Sequence, residues 1–566
     1  MADETTNQGI PEPEGASDVI DTDYEVGQDN VSPFGLDIHN PVFFISGLSI
    51  VLFVFYALAL PEQAESVFKW LFDAVTKGFD WFFLSAANVF VLFCLFLIVS
   101  PFGSIRLGGA EATPDYSYIG WFAMLFAAGM GIGLMFFGVS EPMSHFSSSL
   151  GGTSIEDGVR TDWAPLGAAA GDEAAATRLG MAATIFHWGL HPWAIYAVVA
   201  LALALFSYNK GLPLTLRSAF YPIFGDAVWG WVGHVIDTLA VFATLFGLAT
   251  SLGFGAEQAA SGLTFLFGSG DATEGTRTLL GIAYNNTEES GVEDSSTLLV
   301  LLISGITAIA LISVVRGLDG GVKVLSEINM GLAALLLLFT LFVGGPIFLL
   351  TFFADSLWAY LQNLIPLSNP FGREDTNFMQ GWTAFYWAWW ISWSPFVGMF
   401  IARVSRGRSV REFLICVLLI PSLVCVLWMS VFGGTAINQV VADGYTAAKD
   451  AALELKLFYM LEQLPLATIT STIGIILVVV FFVTSSDSGS LVIDTITAGG
   501  KVDAPVAQRV FWCVFEGAVA IVLLVGGGLA SLQSAVISTG LPFTVVLLVM
   551  CWAIFRGLQS ERNKIS

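Results

Sequence analysis

The stretch "YWAWWISWSP", Tyr386 to Pro395, sets four tryptophans within seven positions of a run that otherwise has the apolar character of a membrane-spanning helix. Just beyond it the basic cluster "RVSRGRSVR", Arg403 to Arg411, marks an inner mouth of the membrane by the positive-inside rule. Tryptophan in membrane proteins usually sits in interfacial belts with one end of its ring wet. Here the rings fall well inside the span, so the segment asks for a ligand rather than a headgroup.

The surrounding composition supports the membrane setting. Of 566 residues, 55% are hydrophobic and 12% charged, and the mean hydropathy is +0.75, beyond what soluble globular chains reach. The five cysteines (Cys94, Cys416, Cys425, Cys513, Cys551) lie in apolar runs and imply no disulfide framework. The net charge of −24 rules out a nucleic-acid partner. Much of it lies outside the apolar runs. Residues 1–30 hold nine acidic residues and no Lys or Arg, and residues 1–38 read as a disordered tail with no signal-peptide pattern. A second acidic stretch, "GDATEGTRTLLGIAYNNTEESGVEDSS", reads as a loop.

Crossing about 30 Å of hydrocarbon takes roughly 18 or more apolar residues as a helix. Twelve such runs are expected, centred near residues 50, 90, 129, 195, 242, 307, 342, 392, 423, 476, 520 and 547. An even count puts both termini on one side. Fourteen of the 22 Lys and Arg then fall on that side, which makes it the cytoplasm. Two spans are interrupted, the third by "GMGIG" (Gly129 to Gly133) and the eighth by Ser394 and Pro395. Each opens a set of five spans. Breaks at matching places in two halves point to an inverted-repeat transporter with its site near the bilayer midplane.

At 100° per residue, Trp389, Trp390 and Trp393 share an arc of about 100°, and in "FHWGLHPWAIY" Trp188, Trp193 and Tyr196 share about 140°. Two aromatic faces on different helices suit a quaternary ammonium. That group has no N–H to donate, and indole faces attract it at roughly 0.5–2 kcal/mol per contact once desolvated.

"GMGIGLMFFGVSEP", "FHWGLHPWAIY", "YWAWWISWSPFVGMFIARVSRGRSVREF" and "FFVTSSDSGS" together resemble the betaine/choline/carnitine transporter family, from about residue 40 to 556. The resemblance implies an all-α, twelve-helix, LeuT-like membrane protein. Two accessory helices (39–118) would precede two five-helix repeats (119–353 and 354–556) and a short tail (557–566). It also implies a homotrimer in the cell membrane, surrounded by lipid. Trp389, Trp390 and Trp393, with Trp188, Trp193 and Tyr196, match the family's substrate rings, and Ser251 matches a hydroxyl near the substrate carboxylate. Gly129, Met130, Gly131 and Gly133 match the unwound stretch whose amides lie near that carboxylate. Gly133 stands where an acidic residue tends to accompany choline, which tilts the expectation to glycine betaine, with carnitine, ectoine and proline betaine open.

For the coupling ion, the resemblance implies a sodium site from the carbonyls of Ala127, Met130 and Phe481 and the hydroxyls of Thr484 and Ser485. Thr244 and Phe396 match a second sodium site, but Leu248 replaces a hydroxyl there. No other cofactor is implied. Read without the family, Thr484 and Ser485 are better explained by bonds to their own helix carbonyls, and the family match reverses that reading. Asp237 is open between a role in transport and capping near the membrane surface. His187 and His191 read as packing or hydrogen-bonding groups rather than metal ligands, and Glu141 is given no chemistry. A sodium-independent antiporter and a proton-coupled choline transporter of the same fold are the competing readings. Enzyme and channel are not favoured, since neither a catalytic cluster nor a polar lining is visible.

Overall fold

A lipid-facing backbone must satisfy its own N–H and C=O groups, and a chain this apolar does so as helices. The computed structural model describes residues 11–565 except 130, 168, 270–275, 281, 286–294, 317–321 and 502. Fifteen of its helices exceed ten residues. They are α1 (Val42–Ala59), α2 (Pro61–Val99), α3 (Tyr118–Gly129), α4 (Ile132–Gly151), α5 (Glu173–Trp188), α6 (Leu190–Ala204), α7 (Trp231–Phe267) and α8 (Ser295–Arg316). There follow α9 (Val322–Val343), α10 (Pro346–Ser368), α11 (Ala384–Arg403), α12 (Val410–Val441), α13 (Ala467–Thr497), α14 (Val506–Val525) and α15 (Gly528–Ile565).

Apolarity all round separates the central helices from the peripheral ones. The most apolar window of α5–α6 is 94% buried inside the protein, whereas that of α9 is 22% buried and turns Leu335, Leu338 and Phe342 outward. Exposed apolar side chains of this kind need lipid around them. The tryptophan helix α11 lies against α6, α7 and α15, and α13 packs on α7. Its approach to α6 is close because Gly398 has no side chain: a Cβ there would fall 2.6 Å from Val199 Cγ1.

Ten described helices are long and apolar enough to cross a membrane, and eleven spans result if the bent pair α3–α4 is one. That falls short of the twelve expected, because α11 does not qualify: its tryptophans, Tyr386, Ser392 and Ser394 dilute its apolarity. The expected boundary at 353/354 falls inside α10, so it does not separate two structural units there.

The acidic N-terminal segment also departs from expectation. From residue 11 it is laid across the helix ends instead of being disordered, because it finds basic partners. Asp18 meets Lys210 at 2.8 Å, Glu14 meets Arg406 at 2.6 Å, and Asp37 meets Lys501 at 2.6 Å. Tyr24 stacks on Trp229, with ring centres 4.1 Å apart. Burial would raise Asp18 and Asp37, but the hydrogen bonds and charge of Lys210 and Lys501 outweigh it and hold both below the ordinary carboxylate value. Ser17 donates to Glu561 at the far end of α15, so the two ends of the chain meet on one face. In the second acidic stretch, Thr276–Leu279 pairs with Ile282–Asn285 as an antiparallel hairpin, and residues 270–275, 281 and 286–294 lie outside the described residues.

Candidate functional site

The site is built on two helix breaks and one unbroken helix, α11, which runs through Ser394 and Pro395 where an interruption was expected. At the first break the axes of 118–127 and 132–151 differ by 68°. Gly131, extended at φ −173°, ψ −175°, is the N-cap of α4. Ile132, Gly133 and Leu134 form the first turn of α4, whose amides carry the positive end of the helix dipole. At the second break, Gly189 separates α5 from α6 and lets Trp188 end one helix while Trp193 and Tyr196 start the next. Helix α11 supplies the facing rings.

These elements surround a small cavity of about 60 Å³, tighter than a typical small-molecule site. Its walls are the rings of Trp188, Tyr196, Trp389, Trp390 and Trp393; Gly131 to Leu134 and Ser251 form its polar edge. Trp188 and Trp390 meet edge to face at 5.2 Å and 84°, and Tyr196 and Trp390 at 5.2 Å and 65°. Such tilted rings surround a volume with several π faces instead of stacking flat and closing it.

Hydrogen bonds fix the rings. Trp389 Nε1 donates to Ser251 Oγ at 3.0 Å, and Trp393 Nε1 donates to the Gly247 carbonyl at 3.0 Å. The Ser251 hydroxyl in turn donates to that carbonyl at 3.2 Å. The buried Trp390 Nε1 has no hydrogen-bond partner among the described residues. Gly133 is what lets Trp188 and Trp389 converge, since a Cβ there would lie 2.9 and 2.8 Å from their Cη2 atoms.

Five of the six expected rings therefore line one cavity with Ser251, Gly131 and Gly133. Trp193 does not. It is fully buried behind the wall, 5.4 Å from Tyr196 and 6.1 Å from Trp390, and supports those rings. Gly129 ends α3, and Met130 lies outside the described residues. Ile132, Leu134 and Val397 join the lining without having been expected, because aliphatic side chains carry no signal that separates a cavity from a core.

For the expected sodium ligands, Thr484 Oγ1 donates to the carbonyls of Val480 at 3.0 Å and Phe481 at 3.2 Å. Its hydroxyl oxygen keeps lone pairs for a cation while doing so. Ser485 follows it on α13, and Ala127 lies near the end of α3. At the second sodium position, the buried Thr244 hydroxyl has no hydrogen-bond partner among the described residues. Leu248 fills the space one turn on, where it abuts Gly489, and the Phe396 ring lies 5.4 Å from that of Trp393.

Three polar groups resolve in particular ways. Arg217 Nε donates to Asp237 at 2.6 Å and Arg217 also reaches His39, so Asp237 is capped by a partner from the preceding connection. His191 Nε2 lies 2.9 Å from Asn88 Oδ1, a hydrogen bond as expected. Glu141 was missed. It is fully buried, and it takes the Trp188 indole N–H at 2.7 Å and the Tyr386 hydroxyl, with His187 Nδ1 at 2.6 Å and His145 Nε2 at 3.1 Å. An apolar stretch holding one Glu and two His was the available signal.

Known proteins resemble the chain over nearly its whole length. Residues 41–563 match the profile described as "BCCT, betaine/carnitine/choline family transporter". A glycine betaine/proline/choline transporter of Vibrio parahaemolyticus is 65% identical over 98% of this chain and 97% of its own length. From the same organism, a glycine betaine transporter is 54% identical, over 96% of this chain and 98% of its own. A glycine betaine transporter of Acinetobacter baylyi is 40% identical over 93% of this chain and 74% of its own length.

Proposed function

The chain belongs to the betaine/carnitine/choline transporter family, and from that membership we propose that it imports a trimethylammonium solute, glycine betaine first, by sodium symport with alternating access. The observation that carries the reading is the cavity. Rings from three helix segments face one volume whose other edge is the free N-terminus of α4. Aromatic faces select a methylated cation, and the α4 amides with the Trp390 N–H select a carboxylate. Both ends of a betaine are thereby recognised. A choline hydroxyl would leave the amide end poorly matched, and Gly133 adds no acid to receive it.

The sodium site would draw on the carbonyls of Ala127, Met130 and Phe481 and the hydroxyls of Thr484 and Ser485. Hard oxygen donors beside a helix break are what sodium requires. A zwitterion moves no net charge, so each co-transported sodium adds about 2.3 kcal/mol of driving force per 100 mV. A second ion near Thr244 and Phe396 is less supported, since Leu248 offers no oxygen.

We further propose twelve crossings in a LeuT-like 5+5 arrangement, assembled as a homotrimer. The ends of the described chain meet through Ser17 and Glu561, which calls for an even number of crossings. Counting the broken pair and α11 with the ten apolar helices meets that condition. The basic cluster at Arg403 to Arg411 supports placing that face in the cytoplasm.

The test is uptake into proteoliposomes of labelled betaine, choline, carnitine, proline and ectoine, with sodium replaced by potassium in parallel. Betaine accumulation that collapses in potassium is expected. Equal accumulation in both salts refutes symport, and exchange that needs solute on both sides would favour an antiporter. Preference for choline would overturn the substrate reading.

A further inference from the structure

Glu141 sits directly behind the cavity wall, yet lines no part of the cavity. One of its oxygens accepts from the Trp188 indole and the Tyr386 hydroxyl; the other faces His187 and His145. Four groups thus converge on two oxygens, which fills the acceptor capacity of an ionised carboxylate. The histidines are themselves held. His187 Nε2 lies 3.0 Å from Thr383 Oγ1, and the His187 ring stacks on Tyr386 at 4.6 Å and 12°.

Glu141, His145 and His187 also have the composition of a metal site, with ligand atoms within 4.8 Å of one another. The contacts are also those of hydrogen bonds. Both imidazole nitrogens lie at donor–acceptor distance from the same oxygen, and an indole and a phenol already fill the other. This is a hydrogen-bond network.

We propose that Glu141 is the positioning residue of the aromatic cage and that its negative charge strengthens the cage's hold on a methylated cation; this rests on the cage being the substrate site. Two physical effects act together. The charge-assisted N–H···O⁻ bond fixes the Trp188 ring edge-on to Trp390. It also draws the indole proton outward, which leaves more electron density on the ring face that meets the cation. The carboxylate is one indole width from the cavity in a water-poor interior, so its charge is felt there with little screening. Trp188 shields it from direct contact, which keeps small inorganic cations from pairing with it.

Substitution of Glu141 by glutamine (Glu141→Gln) keeps the shape and one acceptor oxygen, replaces the other oxygen by an amide NH2, and removes the charge. Binding is measured by titration calorimetry on detergent-solubilised protein with two ligands: glycine betaine and its uncharged-head isostere 3,3-dimethylbutanoate. Betaine affinity is expected to fall roughly tenfold in Glu141→Gln, the worth of one desolvated cation–π contact. The isostere's affinity is expected to hold or rise, since its neutral head gains nothing from the charge and its carboxylate is repelled by it. Equal weakening of both ligands, or unchanged betaine affinity, overturns the proposal. Trp390→Leu in the same titrations reads the cage itself: full betaine affinity there would sink the site assignment, whatever Glu141→Gln does. If Glu141→Gln does not assemble or the isostere does not bind, the ultraviolet resonance Raman indole N–H mode of Trp188 decides, isolated as wild type minus Trp188→Phe. A shift matching a strong ionic hydrogen bond is expected, and the position of a neutral one overturns the proposal.

Discussion

Substituting Gly133 by alanine adds a single methyl at the point where the cage closes. The new Cβ would stand 2.8 Å from Trp389 Cη2 and 2.9 Å from Trp188 Cη2. Carbon atoms are comfortable at about 3.5–4.0 Å, so each ring must retreat by at least roughly 0.6 Å. Neither is free to do so cheaply. Trp188 is tethered to Glu141, and Trp389 to Ser251 while also stacked on Phe385 at 5.6 Å and 14°. Displacing both rings should weaken two cation–π contacts worth about 0.5–2 kcal/mol each, a combined loss of affinity between roughly fivefold and several hundredfold. The assay is betaine titration followed by intrinsic tryptophan fluorescence in detergent. Gly331→Ala is the matched control. It adds the same methyl on the outer helix α9, away from the cavity, where nothing lies within 4 Å. Its affinity should stay within about threefold of wild type, since one added methyl in open space forfeits no packing contact. Binding by Gly133→Ala within twofold of wild type would refute the steric account, as would equal losses in both variants.

Other consequences follow from the same geometry. Trp390→Leu removes the ring that meets Trp188, Trp193 and Tyr196, and should cost betaine binding at least tenfold in equilibrium dialysis, one desolvated cation–π contact and its packing. Thr484→Ala should raise the sodium concentration for half-maximal uptake about tenfold or more, as expected on losing one oxygen ligand, with less effect on betaine binding measured without sodium; unchanged sodium dependence would remove Thr484 from the ion site. Asp237→Asn leaves the Arg217 charge buried without its partner and should destabilise the fold by about 3–5 kcal/mol, read as a drop in thermal midpoint. A folded variant with slow transport would instead return Asp237 to the transport machinery. Burial, then the charges of Arg217 and His234, hold His39 down to about 3 against an ordinary 6.5. The folded protein keeps this imidazole neutral while the unfolded chain takes up the proton. Stability should therefore be intact above pH 6.5 and fall by about 1.4 kcal/mol per pH unit below it, a slope that His39→Gln should abolish.

The sequence by itself determined the medium and the recognition chemistry. Hydropathy requires helices in lipid, because no other open backbone is satisfied there. Helical spacing put Trp389, Trp390 and Trp393 on one face, and all three do line the cavity. The glycines at 129, 131 and 133 announced a broken helix for the same local reason. Tertiary structure alone decided which rings face the cavity. Trp193 has the right spacing, yet Trp390 and Tyr196 stand between it and the cavity. It likewise decided the fate of the charges. Asp237 finds Arg217, Glu141 finds Trp188 and Tyr386, and the acidic N-terminal segment finds Lys210, Arg406 and Lys501, across separations of 20 to several hundred residues. Periodicity speaks only of neighbours along one helix, whereas a buried charge is settled by whichever partner the fold delivers.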